Sequence, residues 1–304
     1  MCGRFTLTDP DPRLLRFRFA LRESVEIDEE PRFNIAPTDP VLAVRRERET
    51  AEREAGRLRW GLIPHYADPD DFDRLLINAR VETVAEAPAF RDAFEGRFRC
   101  LIPADGFYEW RATDTGKRPV WITRPGREPF AFAGLWARAK RADGSSIHSC
   151  TIVTCPPGEL VAPIHDRMPV ILSPEAEAAW LDPERSGEEV SDLLVPTDDL
   201  ELTEVSDAVN DVRQDGPAHA VSAERPLVLC ALGDGGTQEG EFLEAVAEAV
   251  RCGLPVLFLV EDNQLAISTR TGGRTFFSLP DGPATSFYGL PIHRVNGRDA
   301  RACA

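Results

Sequence analysis

R-C-L-I-P-A-D-G-F-Y-E-W, Arg99 to Trp110, is the stretch from which the fold can be read. The apolar run that begins it reads as a strand. Pro103-Ala104-Asp105-Gly106 carries turn residues. Phe107 to Trp110 then reads as a second strand, with Glu109 between Tyr108 and Trp110. A carboxylate flanked by two aromatics is ordinarily exposed. Burial would instead raise its pKa toward a value useful for proton transfer.

The neighbouring segments extend this pattern. Leu58 to Pro64, L-R-W-G-L-I-P, reads as a strand with Gly61 inside it. In L-I-N-A-R-V-E-T, Leu76 to Thr83, the polar residues Asn78, Arg80 and Glu82 alternate with apolar ones. An extended segment places all three on one face, and an ordinary half-buried strand has the same pattern. Further strands are predicted at Phe5–Leu7, Val41–Arg45, Arg118–Ile122, Phe130–Leu135 and Ser149–Thr154. Helices are predicted over Pro12–Leu21 and Pro88–Phe94, from Ser173-Pro174 through Leu181, and over Gly187–Leu194. Two prolines bracket an extended P-R-F-N-I-A-P-T, Pro31 to Thr38. Arg46 to Arg57 reads as a solvated, mixed-charge hairpin or loop.

Composition narrows the class. The 304 residues suffice for one large domain or two ordinary ones. Nothing resembles a membrane span, and M-C-G-R-F-T-L-T has no apolar core of a signal peptide. The seven cysteines are scattered and lack C-x-x-C spacing, which fits free thiols in a reducing cytoplasm. The net charge is −16, and Lys117 and Lys140 are the only lysines. Such acidity argues against indiscriminate nucleic-acid binding but leaves room for a local groove lined by arginine.

Two stretches carry candidate chemistry. Once Met1 is removed, Cys2 presents an α-amine and a thiol on adjacent carbons. The amine, with a pKa of roughly 8, can condense with an aldehyde, and the thiol can close a five-membered thiazolidine. A Cys that merely follows Met is the bland alternative. In P-I-H-D-R-M-P-V-I-L, His165 lies between Pro163 and Pro169, with Asp166 and Arg167 beside it. A lone His is ordinarily structural. These neighbours, in a non-helical stretch, point to a site.

In order along the chain, M-C-G-R-F, F-N-I-A-P-T, R-W-G-L-I-P, I-N-A-R-V-E-T, I-P-A-D-G-F-Y-E-W, F-A-G-L-W, I-H-D-R-M-P-V-I-L and V-N-D-V-R-Q-D-G-P resemble the SOS-response-associated peptidase (SRAP) family. That resemblance covers residues 1–222 as one domain. It implies an α+β fold around a twisted, barrel-like antiparallel sheet with peripheral helices. It further implies a DNA-damage-response protein that shields abasic sites in single-stranded DNA, as a monomer and with no membrane partner, cofactor or metal. Cys2 would form a DNA–protein crosslink as a thiazolidine with the opened abasic sugar. The family name implies a peptidase or lyase that also releases its own Met1. By resemblance, Glu109 shuttles protons, His165 protonates the sugar oxygen or holds a phosphate, and Asn78 orients the N-terminus and the lesion. Arg4, Arg80 and Arg167 match backbone-gripping arginines, with Thr154, Trp60 and Tyr66 as further DNA contacts. One departure stands out. Where many members carry paired aromatics, this chain has His65-Tyr66, so Tyr66 can stack on a base but the wedge is smaller.

The tail, residues 223–304, is different. P-L-V-L-C-A-L-G-D-G-G-T-Q-E-G and L-P-V-L-F-L-V-E-D-N-Q-L-A read as a buried strand, a glycine loop, a helix over Gln238–Cys252 and a second strand ending at Glu261. This resembles the thiamine-diphosphate region of 2-oxoacid dehydrogenase E1 α subunits. Matched residues would be Asp234, Asn263 and the Leu265 carbonyl on Mg²⁺, with Gly235 at the diphosphate. The rest of that fold is missing, so the tail reads as a fusion or truncation remnant that binds neither thiamine diphosphate nor Mg²⁺. Three functions compete: an abasic-site crosslinker, a thiamine-diphosphate-dependent subunit, and a general peptidase with an N-terminal Cys.

Overall fold

The computed structural model describes residues 2–46, 52–96, 98–114 and 116–216, and in the tail 228–233, 240–252, 256–261 and short pieces between 265 and 292. The chain divides into two compact units, residues 1–223 and 224–304.

Among the described residues, the first unit holds two sheets and four short α-helices. Its elements run β1 (Phe5–Leu7), α1 (Pro12–Arg18), β2 (Arg32–Ile35), β3 (Pro40–Arg46), β4 (Arg53–Trp60) and β5 (Asn78–Arg80). There follow α2 (Arg91–Glu95), β6 (Arg99–Ala104), β7 (Gly106–Thr113), β8 (Gly116–Thr123), β9 (Phe130–Lys140) and β10 (Ser146–Cys155). Last come β11 (Met168–Pro169), β12 (Ile171–Leu172), α3 (Pro174–Trp180), α4 (Gly187–Ser191) and β13 (Glu201–Glu204).

The opening stretch does form strand, turn and strand, but its halves join different sheets. β7 lies in a five-stranded antiparallel sheet of order β13-β8-β7-β1-β2. β6 lies in an eight-stranded sheet, between β3 and β9. In the latter, β9 pairs with both β6 and β10, so the sheet curls back toward itself. The sheet is curled but does not close into a barrel. It is also mixed rather than purely antiparallel, because β10 runs parallel to β4 and β5.

Phe5 joins the two sheets. Its ring meets Trp60 edge-on at 5.1 Å and Phe132 at 5.6 Å, all three in the main core. Offset and edge-on aromatic pairs of this kind add about 0.5–1.5 kcal/mol beyond their buried area. Helix starts follow the chemistry of their caps. Asp11 accepts from the Arg13 and Leu14 amides ahead of α1, and Ser173 accepts from the Ala176 amide ahead of α3.

Several elements depart from their predicted bounds. β4 is displaced rather than shortened. It begins at Arg53, inside the stretch predicted as a loop, where it pairs with β3. It stops at Trp60, as Gly61 takes φ +123° and Leu62 makes only an isolated bridge to Leu76. β5 keeps only Asn78–Arg80 of the predicted segment, with turns from Val81 onward. α2 begins at Arg91 rather than Pro88.

In the second unit, β14 (Val228–Gly233) runs parallel to β15 (Val256–Glu261), joined through α5 (Gly240–Cys252). Phe242 of α5 is buried and meets Phe258 of β15 edge-on at 5.5 Å. Asp234, Gly235 and Asn263 lie outside the described residues. Leu265 opens a two-residue strand paired with Thr269–Arg270.

Candidate active site around Cys2

Cys2 lies just ahead of β1, and the partners of β1 fix its place. Phe5 pairs with Phe107 and Thr6 with Gly106. One step further out, the Tyr108 amide donates to the Arg4 carbonyl at 3.0 Å. The same carbonyl accepts a weak hydrogen bond from the Cys2 thiol, with Sγ 3.7 Å away. Asp105, 3% exposed, anchors this strand from the β6–β7 turn. Its carboxylate accepts from the Thr6 hydroxyl at 2.6 Å, the Thr8 amide at 2.5 Å and the Thr8 hydroxyl at 2.6 Å.

Three elements converge on Cys2. Asn78, the first residue of β5, donates from Nδ2 to the Cys2 carbonyl at 2.9 Å. β10 holds β5 there through the pair Ile152 and Asn78. Glu109 comes from β7 and is 3% exposed. Loss of water around it raises its carboxyl pKa to about 7. Cys2 is wholly buried, and that burial, reinforced by the nearby Glu109 carboxylate, pushes its thiol far above the ordinary range.

His165 approaches Glu109 from the loop ahead of β11, with Nε2 4.0 Å from Oε2. Its Nδ1 lies within reach of two groups that ask opposite things of it. The Arg167 amide donates to Nδ1 at 3.0 Å, whereas Asp166 Oδ1, 2.9 Å away, could only accept from it. Burial lowers the His165 pKa and favours the neutral ring. The amide contact then assigns the proton to Nε2, on the side of Glu109.

The residues expected to grip DNA fall into two groups. Arg80, at the end of β5, is exposed, as is Tyr66, whose ring packs edge-on against His65 at 5.4 Å. The others are buried or, for Arg4, half-buried, and are tied within the fold. Arg167 is 9% exposed and donates to the Thr154 carbonyl and to Glu82 Oε1, each at 2.5 Å. Thr154 is fully buried. Arg4 donates to Asn34 Oδ1 at 2.9 Å and to the Val209 carbonyl at 3.0 Å. Trp60 requires correction. It is fully buried, donates to the Ile77 carbonyl at 3.0 Å and offers no surface on which a base could stack.

Next to Gly3 and Arg4 opens a cavity of ≈ 520 Å³, lined also by Thr38, Asp39, Trp110 and Val212. Sequence reasoning missed Trp110 as a candidate contact. Its place directly after Glu109 on the opposite face of β7 was the available signal. Asn34 was missed too, because only the folded chain brings it to Arg4.

The family profile described as SOS response associated peptidase (SRAP) matches residues 1–212. The chain belongs to that family. Among its relatives, abasic site processing protein YoqW of Bacillus subtilis (strain 168) is 39% identical over 222 residues, 71% of this chain and 97% of the relative. Abasic site processing protein YedK of Escherichia coli (strain K12) is 32% identical over 224 residues, with 71% and 97% covered. A solved structure from Bordetella bronchiseptica matches with a TM-score of 0.59 at 30% identity, covering 67% of this chain and all of that one. One from Bacteroides thetaiotaomicron shares the fold at a TM-score of 0.62 and 23% identity, covering 71% and 97%. Residues 205–304, which include the tail, match the profile described as Dehydrogenase E1 component. Among the described residues, no helix is long and apolar enough to cross a membrane.

Proposed function

We propose that this chain processes abasic sites in single-stranded DNA by bonding to them covalently through Cys2. The convergence of Asn78, Glu109 and His165 on Cys2 carries this reading. The names of the SRAP relatives, abasic site processing proteins, agree with it. Met1 leaves first, by hydrolysis of its peptide bond in this site or by an aminopeptidase, which frees the Cys2 amine. The amine adds to the aldehyde of the ring-opened sugar, and loss of one water gives an imine. The thiol then adds to the imine carbon and its proton passes to nitrogen, closing the thiazolidine. Aldehyde and aminothiol thus give thiazolidine and water, with no oxidant or reductant.

The electrostatics set the order of these steps. A thiol pushed up by burial stays protonated at neutral pH, so the amine attacks first. Glu109, poised near neutrality, can take the proton from the adding amine and return it to the departing hydroxyl. The neutral His165, with its Nε2 hydrogen on the side of Glu109, is suited to donate a hydrogen bond to the sugar ring oxygen as the ring opens, while the protonated Glu109 carboxyl supplies the proton. Arg80 and Tyr66, both exposed, are available to the flanking strand.

The decisive experiment incubates the purified chain with an abasic single strand and runs a denaturing gel. A shifted band is expected for the parent and none for Cys2→Ala. A stable band from the Cys2→Ala variant would refute the assignment of Cys2.

A further inference from the structure

Around Arg4, V-N-D-V-R-Q-D-G, Val209 to Gly216, folds back over β2. A short 3-10 turn, Asp207–Asn210, is followed by residues that run to Asp215. Val209 is fully buried in a cluster with Tyr108, Trp121 and Val205, on the face of β7 opposite Glu109. Asn34, 1% exposed on β2, is the tie point. Its Nδ2 hydrogens are spread over three carbonyls of the segment, those of Val209 at 3.1 Å, Asp211 at 3.1 Å and Gln214 at 2.9 Å. Its Oδ1 accepts from Arg4 Nη1, which also donates to the Val209 carbonyl. Asp215 closes the segment. Its Oδ1 accepts from the amides of Phe33 at 2.5 Å and Asn34 at 2.7 Å, while Oδ2 pairs with the Arg32 guanidinium.

We infer that Asn34 is a positioning residue for the Cys2 reaction, acting through Arg4, and that the 207–215 segment is the strap that holds both. The inference rests on the function proposed above. Arg4 supplies the carbonyl to which the Cys2 thiol donates, and its guanidinium is fixed at both ends of the Asn34–Val209 tie. Freed from that tie, Arg4 and the residues before it gain rotational freedom. The aminothiol then samples orientations unsuited to a lesion held in the groove. A misplacement of about 1 Å can cost about a hundredfold in rate, so the effect belongs to the rate of bond formation rather than to the nucleophile itself.

The test compares the parent, Asn34→Ala and Asp215→Asn, all with Met1 removed, in three measurements. These are the crosslinking rate at saturating abasic strand, the affinity for the intact strand, and the rate at which formaldehyde forms a thiazolidine at Cys2. For Asn34→Ala we expect saturated crosslinking to slow by about 10–100-fold. Formaldehyde, which needs no positioning, should react as fast as with the parent or faster, and strand affinity should change little. Asp215→Asn, which keeps Asn34 but removes the charge that anchors it, should slow crosslinking in the same way by a smaller factor. It serves as the test should Asn34→Ala fail to fold. Folded variants that crosslink at the parental rate overturn the inference, and so does a parallel fall in all three measurements. A parent that forms no crosslink while reacting normally with formaldehyde refutes the proposed function itself, and the positioning role with it.

Discussion

Glu109 shows how much one burial can accomplish. Its carboxyl holds its proton up to about pH 7 because little water reaches it. Glu109→Gln keeps the shape and removes the exchangeable proton. Crosslinking by this variant should be slower by about 10²–10⁴-fold with binding of intact single strands nearly unchanged, as read by single-turnover gels and fluorescence anisotropy. Stability should respond as well. The folded pKa lies above the ordinary 4.5, so the protonated form favours the folded state. That contribution is complete below about pH 4.5 and is lost as pH rises to about 7. Relative to the parent, Glu109→Gln should therefore gain stability across this window and stay level above it in urea titrations. A difference that does not vary with pH would show that Glu109 titrates normally. The sequence placed Glu109 between two aromatics but left its burial open. Phe107, two residues earlier on the same face, is fully buried, while Tyr108 on the other face is covered by Val209, a hundred positions away. The covers of the two faces thus come from distant parts of the chain, Val209 over Tyr108 and the Cys2 and His165 segments beside Glu109.

At the scale of elements, the tight point is Gly106, where β7 leaves the turn. A Cβ there would overlap the Trp121 indole nitrogen and come within 2.8 Å of Cε2. That indole donates to the Thr6 hydroxyl at 3.1 Å, which in turn donates to Asp105. Gly106→Ala should cost about 1–3 kcal/mol, measured by urea unfolding, because the ring must shift and its link to β1 is strained. An unchanged midpoint would mean that the ring relocates without loss. The starts of α1 and α3 were legible in advance, since Pro12 and Ser173-Pro174 announce themselves locally, whereas α2, with no side-chain cap, starts after the predicted Pro88. Strand ends were less so. The predicted face of Asn78, Arg80 and Glu82 survives only in part, because Glu82 falls beyond β5 and pairs with Arg167 instead. The alternation was present in the sequence, but the competing ion pair was not visible there.

At the scale of the whole molecule, the two units divide between Ala223 and Glu224. Every residue of the proposed site lies in the first. A chain ending at Ala223 should therefore crosslink abasic strands at the parental rate, as quantified on denaturing gels. A loss of rate would assign the tail a part in the reaction. Thiamine diphosphate with Mg²⁺ should give no saturable heat with the full chain. A ligand selective for the folded state would add about 2.7 kcal/mol at a hundredfold excess over its Kd, so melting offers an independent check. Binding that disappears in Asp234→Ala would reverse this expectation. The motifs named the family, yet the parallel runs of β10 beside β4 and β5 could not be read from them. Those pairings join strands separated by scores of residues, and no local pattern records them.

The Asp105 anchor also makes β1 a ruler. Thr6 and Thr8 are pinned to that carboxylate, and the chain counts backward from there to its reactive end. One residue inserted between Gly3 and Arg4 leaves the Asp105 anchors of Thr6 and Thr8 in place while drawing Cys2 away from Asn78. It displaces the aminothiol by about 3.3 Å and turns it to the opposite face of the strand. Such a chain should melt like its parent yet stay silent toward abasic DNA, so that its length, more than its composition, sets whether it reacts.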